Sequence, residues 1–139
     1  MRFDVVEPGT EIPSVSHLVT RENVIKYGRL VSGFNPVHED DEFARDLGFE
    51  RIVAHGVMHI NFITEMLSSY SGHPERVKKL ALDFVKAVYP GDEITARGYV
   101  KEVERVGGCL RVTCEVWSEN QNGVKVTDRG VAELELPAG

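Results

Sequence analysis

The chain has 139 residues, of which 42% are hydrophobic and 27% are charged, a composition typical of a single soluble globular domain. Its net charge of −6, without a cluster of basic residues, argues against a nucleic-acid-binding protein. No stretch approaches the roughly 18 apolar residues of a membrane-spanning helix, and the N-terminus shows no signal-peptide pattern. We therefore expect a cytoplasmic protein in which residues 1–139 form one domain.

The first part of the chain predicts one short strand and two helices. The strand is expected near Val15–Val19, and a threonine suited to an N-cap precedes a helix from Arg21 to about Val31. Residues 34–38 form a loop, because a residue before proline avoids the helical conformation. A short helix, Asp41–Leu47, follows with Asp40 as its cap. Its inward-facing residues are expected to be Phe43, Ala44 and Leu47.

The stretch from Val57 to Ser71 predicts a long central helix. Apolar residues recur at helical spacing around most of its circumference, and only Asn61, Glu65 and Ser68 form a polar strip. A helix this apolar cannot lie on a surface and must be wrapped by other elements. Gly72 is placed to end it.

Strand candidates follow the helix, and the alternation of apolar and polar residues in them indicates a sheet with one buried face. They are Lys79–Tyr89, Glu93–Glu104, Leu110–Trp117 and Val124–Leu136. A shift in the alternation near Val103 predicts a β-bulge. The expected architecture is α+β, with one long buried helix wrapped by a curved antiparallel sheet.

The sequence predicts no metal, disulfide or cofactor site. Cys109 and Cys114 are an odd number of positions apart in one predicted strand, so their side chains point to opposite faces. His55 and His59 have the spacing of two zinc ligands on a helix, but no glutamate completes the metalloprotease pattern. Packing or N-capping is therefore the better interpretation of these two histidines. No glycine fingerprint of a nucleotide-binding loop is present either.

The first candidate for chemistry is the segment Asn35-Pro36-Val37-His38, a proline-stiffened loop between two predicted helices. A histidine held in such a loop has a defined direction and titrates near neutrality, as a general acid or base requires. The alternative is a surface histidine, or one hydrogen-bonded to a neighbouring helix cap.

The second candidate is Ala54-His55-Gly56, which opens the central helix. The N–H groups of a first helical turn have no partner within the helix, and glycine lets a ligand approach the backbone. Together with the helix dipole, these groups could hold a carbonyl oxygen that gains negative charge. The alternative is an ordinary helix N-terminus with His55 as its cap or as a packing residue.

Three segments of the chain resemble, in order and spacing, the MaoC-like hydratases. They are FNPVHEDDEFARDLGF at residues 34–49, IVAHGVM at 52–58 and FVKAVYPGD at 84–92. This family includes (R)-specific enoyl-CoA hydratases and 3-hydroxyacyl-thioester dehydratases, and its members have the hot-dog fold. The resemblance extends over about residues 15–136 and implies that fold for this chain.

The resemblance also implies site residues by position. His38 matches the family's catalytic histidine, Asn35 matches the asparagine that shapes the same loop, and Gly56 matches the glycine whose N–H polarises the thioester carbonyl. The implied substrate is an acyl-CoA or acyl-carrier-protein thioester, with no separate cofactor. The family chemistry adds water syn across the double bond of a trans-2-enoyl thioester.

One position departs from the family's pattern, because the catalytic aspartate expected two positions before the asparagine is replaced by Gly33 or deleted. Of the nearby carboxylates, Asp40 is expected to cap a helix, and Glu39 and Asp41 are expected to be solvated. Three interpretations remain open. The chain is a hydratase or dehydratase that uses His38 with another carboxylate or water, a non-catalytic acyl-thioester-binding subunit paired with an Asp-bearing homologous chain, or a hot-dog thioesterase.

The resemblance further implies an oligomer, since hot-dog domains usually pair and exposed sheet edges are a liability unless they are covered. We expect at least a homodimer with the active site near the subunit interface, and an acyl tunnel beside the central helix. Val31, Met58 and Phe62 are candidates for the tunnel lining, and a plain core role is the alternative.

Overall fold

The computed structural model describes residues 6–138, so the N-terminal residues for which we expect no signal peptide lie outside the described range. Within it, five antiparallel strands form one sheet in the order β1-β3-β4-β5-β2, which leaves β1 and β2 at its edges. The strands are β1 (Glu11–Leu18), β2 (Val77–Phe84), β3 (Glu93–Val106), β4 (Cys109–Glu119) and β5 (Lys125–Pro137).

Residues 6–138 also contain three α-helices and two short 3₁₀ turns. They are α1 (Arg21–Ser32), α2 (Asp41–Asp46), α3 (Gly56–Ser71) and the turns Pro36–His38 and Pro74–Arg76. Gly72 adopts the left-handed conformation (φ 87°) and donates its N–H to the Ser68 carbonyl, so it ends α3 as predicted. None of the helices within residues 6–138 combines the length and apolarity needed to span a bilayer.

The sheet wraps α3, which packs against each of the five strands. Ile63, Met66 and Leu67 are fully buried on this helix, whereas Asn61 and Glu65 of its polar strip are exposed. On the sheet side the alternate residues of β3 and β4 point into the same core. The α+β architecture predicted from the hydrophobic patterns is therefore confirmed.

A second apolar cluster fixes the segment that leads into α3. It comprises Val19, Val24, Ile52, Ala54, Met58, Val88, Ile94 and Val126. Two backbone hydrogen bonds tie the segment on both sides, from Val53 N–H to the Val37 carbonyl (3.1 Å) and from Ala54 N–H to the Val88 carbonyl (2.9 Å). The start of α3 is thereby held against the Pro36–His38 turn and against the chain that follows β2.

The observed strand boundaries lie within two residues of the predicted ones except at two places. β1 begins at Glu11, earlier than the predicted Val15. β2 ends at Phe84, because the N–H groups of Val85 and Lys86 both turn to one carbonyl, that of Val126, and the ladder stops there. The predicted bulge in β3 is confirmed, since its register with β4 shifts between Val100 and Glu102.

The prediction that α2 buries three side chains is wrong for two of them. Ala44 is fully buried, but Phe43 is 40% exposed and Leu47 is 59% exposed. The helix has only 6 residues, so it presents one narrow face to the core, and Ala44 fills that face. Leu47 lies beyond its last residue and contributes to the cavity described below.

The two cysteines lie in β4 on opposite faces, as their spacing predicts. Cys114 is buried in the core, Cys109 is half-buried, and both are free thiols. Burial raises the pKa of the Cys114 thiol to about 12. It therefore remains protonated at physiological pH and is unsuited to nucleophilic chemistry.

Candidate active site

The Asn-Pro loop of the sequence folds into a 3₁₀ turn that fixes the direction of His38. Asn35 caps the turn, because its side-chain oxygen accepts a hydrogen bond from the Val37 N–H at 3.2 Å. Pro36 occupies the first position of the turn, where its missing N–H costs nothing. His38 itself donates its backbone N–H to the Asn35 carbonyl, so its side chain leaves a rigid backbone.

The His38 ring is anchored so that one nitrogen is free for chemistry. Its Nδ1 lies 2.7 Å from the Val53 carbonyl oxygen. Because a carbonyl can only accept, Nδ1 carries the proton, and in the neutral ring Nε2 has the lone pair. The residue is 7% exposed. This arrangement suits a general base with a fixed direction and restricted access to water.

The neighbouring helix approaches His38 at a glycine. A Cβ built on Gly28 of α1 would lie 2.8 Å from the His38 Cβ and 3.1 Å from its Cγ. These atoms form the root of the His38 side chain, so the ring cannot move aside by rotating its far end. Gly28 therefore allows the close packing that sets the position of the imidazole.

We expect Gly28→Ala to lower activity by up to about 100-fold through displacement of His38, since small misplacements of catalytic groups have such effects. The alanine gains about 1 kcal/mol of helix propensity, which limits the loss of stability from the new contact. Steady-state kinetics and thermal unfolding measure the two effects separately. Gly108→Ala is the matched control, because no atom lies within 4 Å of a Cβ there. Unchanged activity in Gly28→Ala would contradict the packing argument.

The start of α3 presents a backbone donor beside a second histidine. His55 caps the helix, because its Nδ1 accepts the Val57 N–H at 3.1 Å, so the capping interpretation of this residue is confirmed. No acceptor for the Gly56 N–H lies among residues 6–138. The His55 ring centroid is 5.1 Å from that of His38. Partial burial, followed by the proximity of His38, lowers the pKa of His55, which favours a neutral ring.

One cavity of about 610 Å³ is lined by both His38 and Gly56, so the two candidate segments converge in the fold. Its other polar side chains are His59 and Lys86. Most of the wall is apolar and includes Leu47, Phe49, Val53, Phe84, Val85 and Val88. A Cβ on Gly56 would lie 3.0 Å from the Phe84 ring, so the glycine keeps this end of the cavity open. The cavity suits an apolar acyl group with one polar centre.

No carboxylate from residues 6–138 lines this cavity, and the carboxylates nearest in sequence are engaged elsewhere. Asp40 caps α2, as predicted, by accepting the N–H groups of Glu42 and Phe43. The expectation that Glu39 and Asp41 are solvated is wrong. The Glu39 side chain is 11% exposed and pairs with Arg29 at 2.6 Å, and Asp41 binds Arg21 and accepts the Ile52 N–H.

The residues predicted to line an acyl tunnel do not reach this cavity within one chain. Val31 is 44% exposed on α1, and Met58 is buried in the second apolar cluster. Phe62 stacks on the His17 ring with centroids 4.6 Å apart. Their role in a tunnel stays a prediction.

No group of three or more potential metal ligands lies within residues 6–138.

His59 is the residue of the cavity for which the sequence predicts packing or N-capping and no chemical role. It lies on α3 one turn after Gly56, is 5% exposed, and contacts the Phe84 ring edge-on with centroids 5.6 Å apart. Burial lowers its pKa from 6.5 to about 4. The available signal was its position three residues after the glycine, which places both residues on one side of the helix.

Because His59 is buried, we expect the free energy of unfolding to fall in acid. Its pKa is lowered in the folded state, so above about pH 6.5 the ring is neutral in both states and contributes no pH dependence. Below that pH the His59 ring is protonated in the unfolded chain but stays neutral in the folded chain. The free energy of unfolding therefore falls by about 1.4 kcal/mol per pH unit down to about pH 4. Urea unfolding between about pH 7 and about pH 5 measures this slope.

His59→Leu is expected to reduce the slope, with a remainder from His55, whose pKa is lowered in the same direction. An identical slope in the variant and the parent would show that His59 is not buried as described.

The chain is similar to a protein family and to individual relatives over most of its length. Residues 5–122 match the family model described as a MaoC-like domain. A relative named UPF0336 protein, from Clavibacter michiganensis subsp. michiganensis, is 32% identical over 131 residues and covers 85% of each chain. An (R)-specific enoyl-CoA hydratase from Aeromonas caviae is 27% identical, covering 80% of this chain and 83% of the hydratase.

Solved structures of other proteins superpose on this chain over nearly its full length. A MaoC-like dehydratase from Rhodospirillum rubrum superposes with a TM-score of 0.86 at 20% identity, covering 100% of this chain and 98% of the other. A chain of the ChsH1–ChsH2 complex from Mycobacterium tuberculosis gives a TM-score of 0.76 at 19% identity, covering 96% and 98%. The fold is therefore the hot-dog fold, as the resemblance implies.

Proposed function

The chain belongs to the family of MaoC-like domains, and from this membership we propose that it hydrates trans-2-enoyl thioesters and dehydrates the corresponding 3-hydroxyacyl thioesters. The observation that supports this function most strongly is the cavity that both His38 and Gly56 line. One of these residues has a ring nitrogen with a lone pair, and the other has a helix N–H without an acceptor among residues 6–138. These are the two groups that water addition next to a thioester carbonyl requires.

In the hydration direction, Nε2 of His38 takes a proton from water as the water oxygen bonds to C3 of the acyl group. The electron pair of the double bond moves to the thioester oxygen, where the Gly56 N–H and the positive end of α3 stabilise the negative charge. The proton on Nε2 then passes to C2 as the carbonyl re-forms. Because the addition is syn, one imidazole can serve both transfers, and the net change is the addition of one water.

The substrate in this proposal is an acyl-CoA or acyl-carrier-protein thioester, whose acyl end enters the apolar cavity. Lys86 is exposed and lies on the cavity wall, where its charge suits the phosphates that both carriers bring. We include in the proposal at least a homodimer, because β1 and β2 are open edges of the sheet within one chain. In such an oligomer Val31, Met58 and Phe62 remain candidates for an acyl tunnel, and a homologous chain is the alternative partner to a second copy.

The direct test is incubation of the purified protein with crotonyl-CoA. The proposed function predicts loss of the enoyl-thioester absorbance with formation of 3-hydroxybutyryl-CoA. Release of free CoA without a hydrated product would instead support the thioesterase alternative. An unchanged spectrum at high protein concentration would contradict the hydratase function.

If the protein does not hydrate crotonyl-CoA, the structure favours a second function. The absence of a carboxylate from the described wall of the cavity favours a non-catalytic subunit that binds acyl thioesters. Such a subunit would bind crotonyl-CoA without turnover and would co-purify with an Asp-bearing homologous chain from its native source. Calorimetric titration of crotonyl-CoA into the protein separates this function from a failure to bind.

A further inference from the structure

His59 is a buried polar side chain whose bonding is incomplete. It is 5% exposed and lines the cavity of His38 and Gly56, and its Nδ1 has no hydrogen-bond partner among the described residues. Leaving such a nitrogen unpaired is unfavourable, and most buried polar groups in proteins have a hydrogen-bond partner. An apolar side chain of similar size would fill the site more cheaply, so a histidine here points to a partner that enters the cavity.

Each of the other polar groups that line the cavity is exposed to solvent, already hydrogen-bonded, or suited to the thioester oxygen. Lys86 is exposed, so its charge stays in water at the wall's edge. His38 holds the Val53 carbonyl through Nδ1 and offers only Nε2. Gly56 offers one N–H, which suits the thioester oxygen. This leaves His59 as the one further buried side chain on the described wall that can bind a water or a hydroxyl group.

We propose that His59 is a second catalytic residue, which holds the adding water and the 3-hydroxyl group of the product together with His38. This inference rests on the proposed function. Its N–H or its lone pair forms one hydrogen bond to the water oxygen or hydrogen, while Nε2 of His38 accepts the proton that the water loses. His59 itself gains and loses no proton, so the balance of the reaction is unchanged. It performs the orienting part of the role that the family's motif gives to a carboxylate.

The neutral state of His59 fits this role. A ring whose pKa is about 4 stays uncharged at physiological pH and keeps one donor and one acceptor. Among residues 6–138, the other titratable side chains that line the cavity or contact the His38 ring are His38, His55 and Lys86, and none of them is a carboxylate. None of them would draw a proton onto His59.

The first test compares His59→Leu with His59→Gln in crotonyl-CoA hydration. We expect His59→Leu to lower kcat about 10- to 100-fold with little change in KM, and His59→Gln, which keeps a donor and an acceptor, to recover part of the loss. His73→Leu, at an exposed histidine far along the chain, is the matched control. A structural role alone would leave kcat within about two-fold in His59→Leu, and that result, with the parent active, would overturn this inference and leave the proposed function intact.

The second test needs no turnover. Calorimetry compares the affinities of (R)-3-hydroxybutyryl-CoA and butyryl-CoA, which differ by the hydroxyl group. We expect the parent protein to prefer the hydroxylated ligand by about 10-fold and His59→Leu to lose most of that preference, since only the contact with His38 remains. Equal affinities in the parent, or a preference of unchanged size in His59→Leu, would overturn the inference even for a protein that shows no hydration.

Discussion

Replacing His38 with alanine is expected to lower kcat for crotonyl-CoA hydration by about 100- to 10,000-fold, the contribution of a positioned acid or base. The physical reason is the fixed ring, in which the 2.7 Å contact from Nδ1 to the Val53 carbonyl leaves Nε2 as the basic nitrogen. Loss of the enoyl-thioester absorbance measures the rate. The Gly56 donor remains in the variant, so a slow residual reaction is expected.

Two further variants separate chemistry from structure. His38→Asn keeps a donor for the Val53 carbonyl, so the loop is expected to hold its shape while the activity stays low. His73→Ala changes a histidine that caps the Pro74–Arg76 turn away from the cavity, and it is expected to retain full activity. If His38→Ala were as active as the parent protein, the proposed reaction centre would be wrong.

The second large effect concerns the central helix. Leu67→Ala is expected to lower the free energy of unfolding by about 2 to 5 kcal/mol, because the side chain is fully buried between α3 and the sheet. The loss combines the transfer of apolar surface with a cavity that the wrapped sheet cannot easily close. Urea unfolding followed by far-UV circular dichroism gives the value.

Leu30→Ala is the matched control, since Leu30 is 76% exposed on α1. We expect it to change the free energy of unfolding by at most about 0.5 kcal/mol. Equal effects of the two substitutions would contradict the description of α3 as a helix enclosed by the sheet.

The features that the sequence predicts correctly depend on local chemistry or on strong periodicity. The central helix is specified by apolar residues around most of its circumference and by Gly72, whose left-handed conformation ends it. The turn that holds His38 is specified by the Asn35 cap and by Pro36. His55 likewise caps α3 through a contact two residues along the chain. Apart from the apolar periodicity, which extends along the whole of α3, each deciding interaction lies within about one helical turn.

The features that the sequence does not predict depend on which distant element lies opposite a residue. Phe43 has the spacing of a core residue, but Ala44 already fills the one face that α2 presents. β2 ends at Phe84 because two successive N–H groups meet the same carbonyl on β5. His59 reads as a helix residue among apolar neighbours, and only the packing of α3 against the end of β2 places it in a cavity with His38.

The measurement that tests the central claim most directly is a crystal structure of the protein with (R)-3-hydroxybutyryl-CoA. The claim that His38 and Gly56 act on one thioester predicts the carbonyl oxygen at about 3 Å from the Gly56 nitrogen and the 3-hydroxyl oxygen within hydrogen-bond distance of Nε2 of His38. A ligand whose acyl group binds outside this cavity, or whose carbonyl points away from the start of α3, would contradict it.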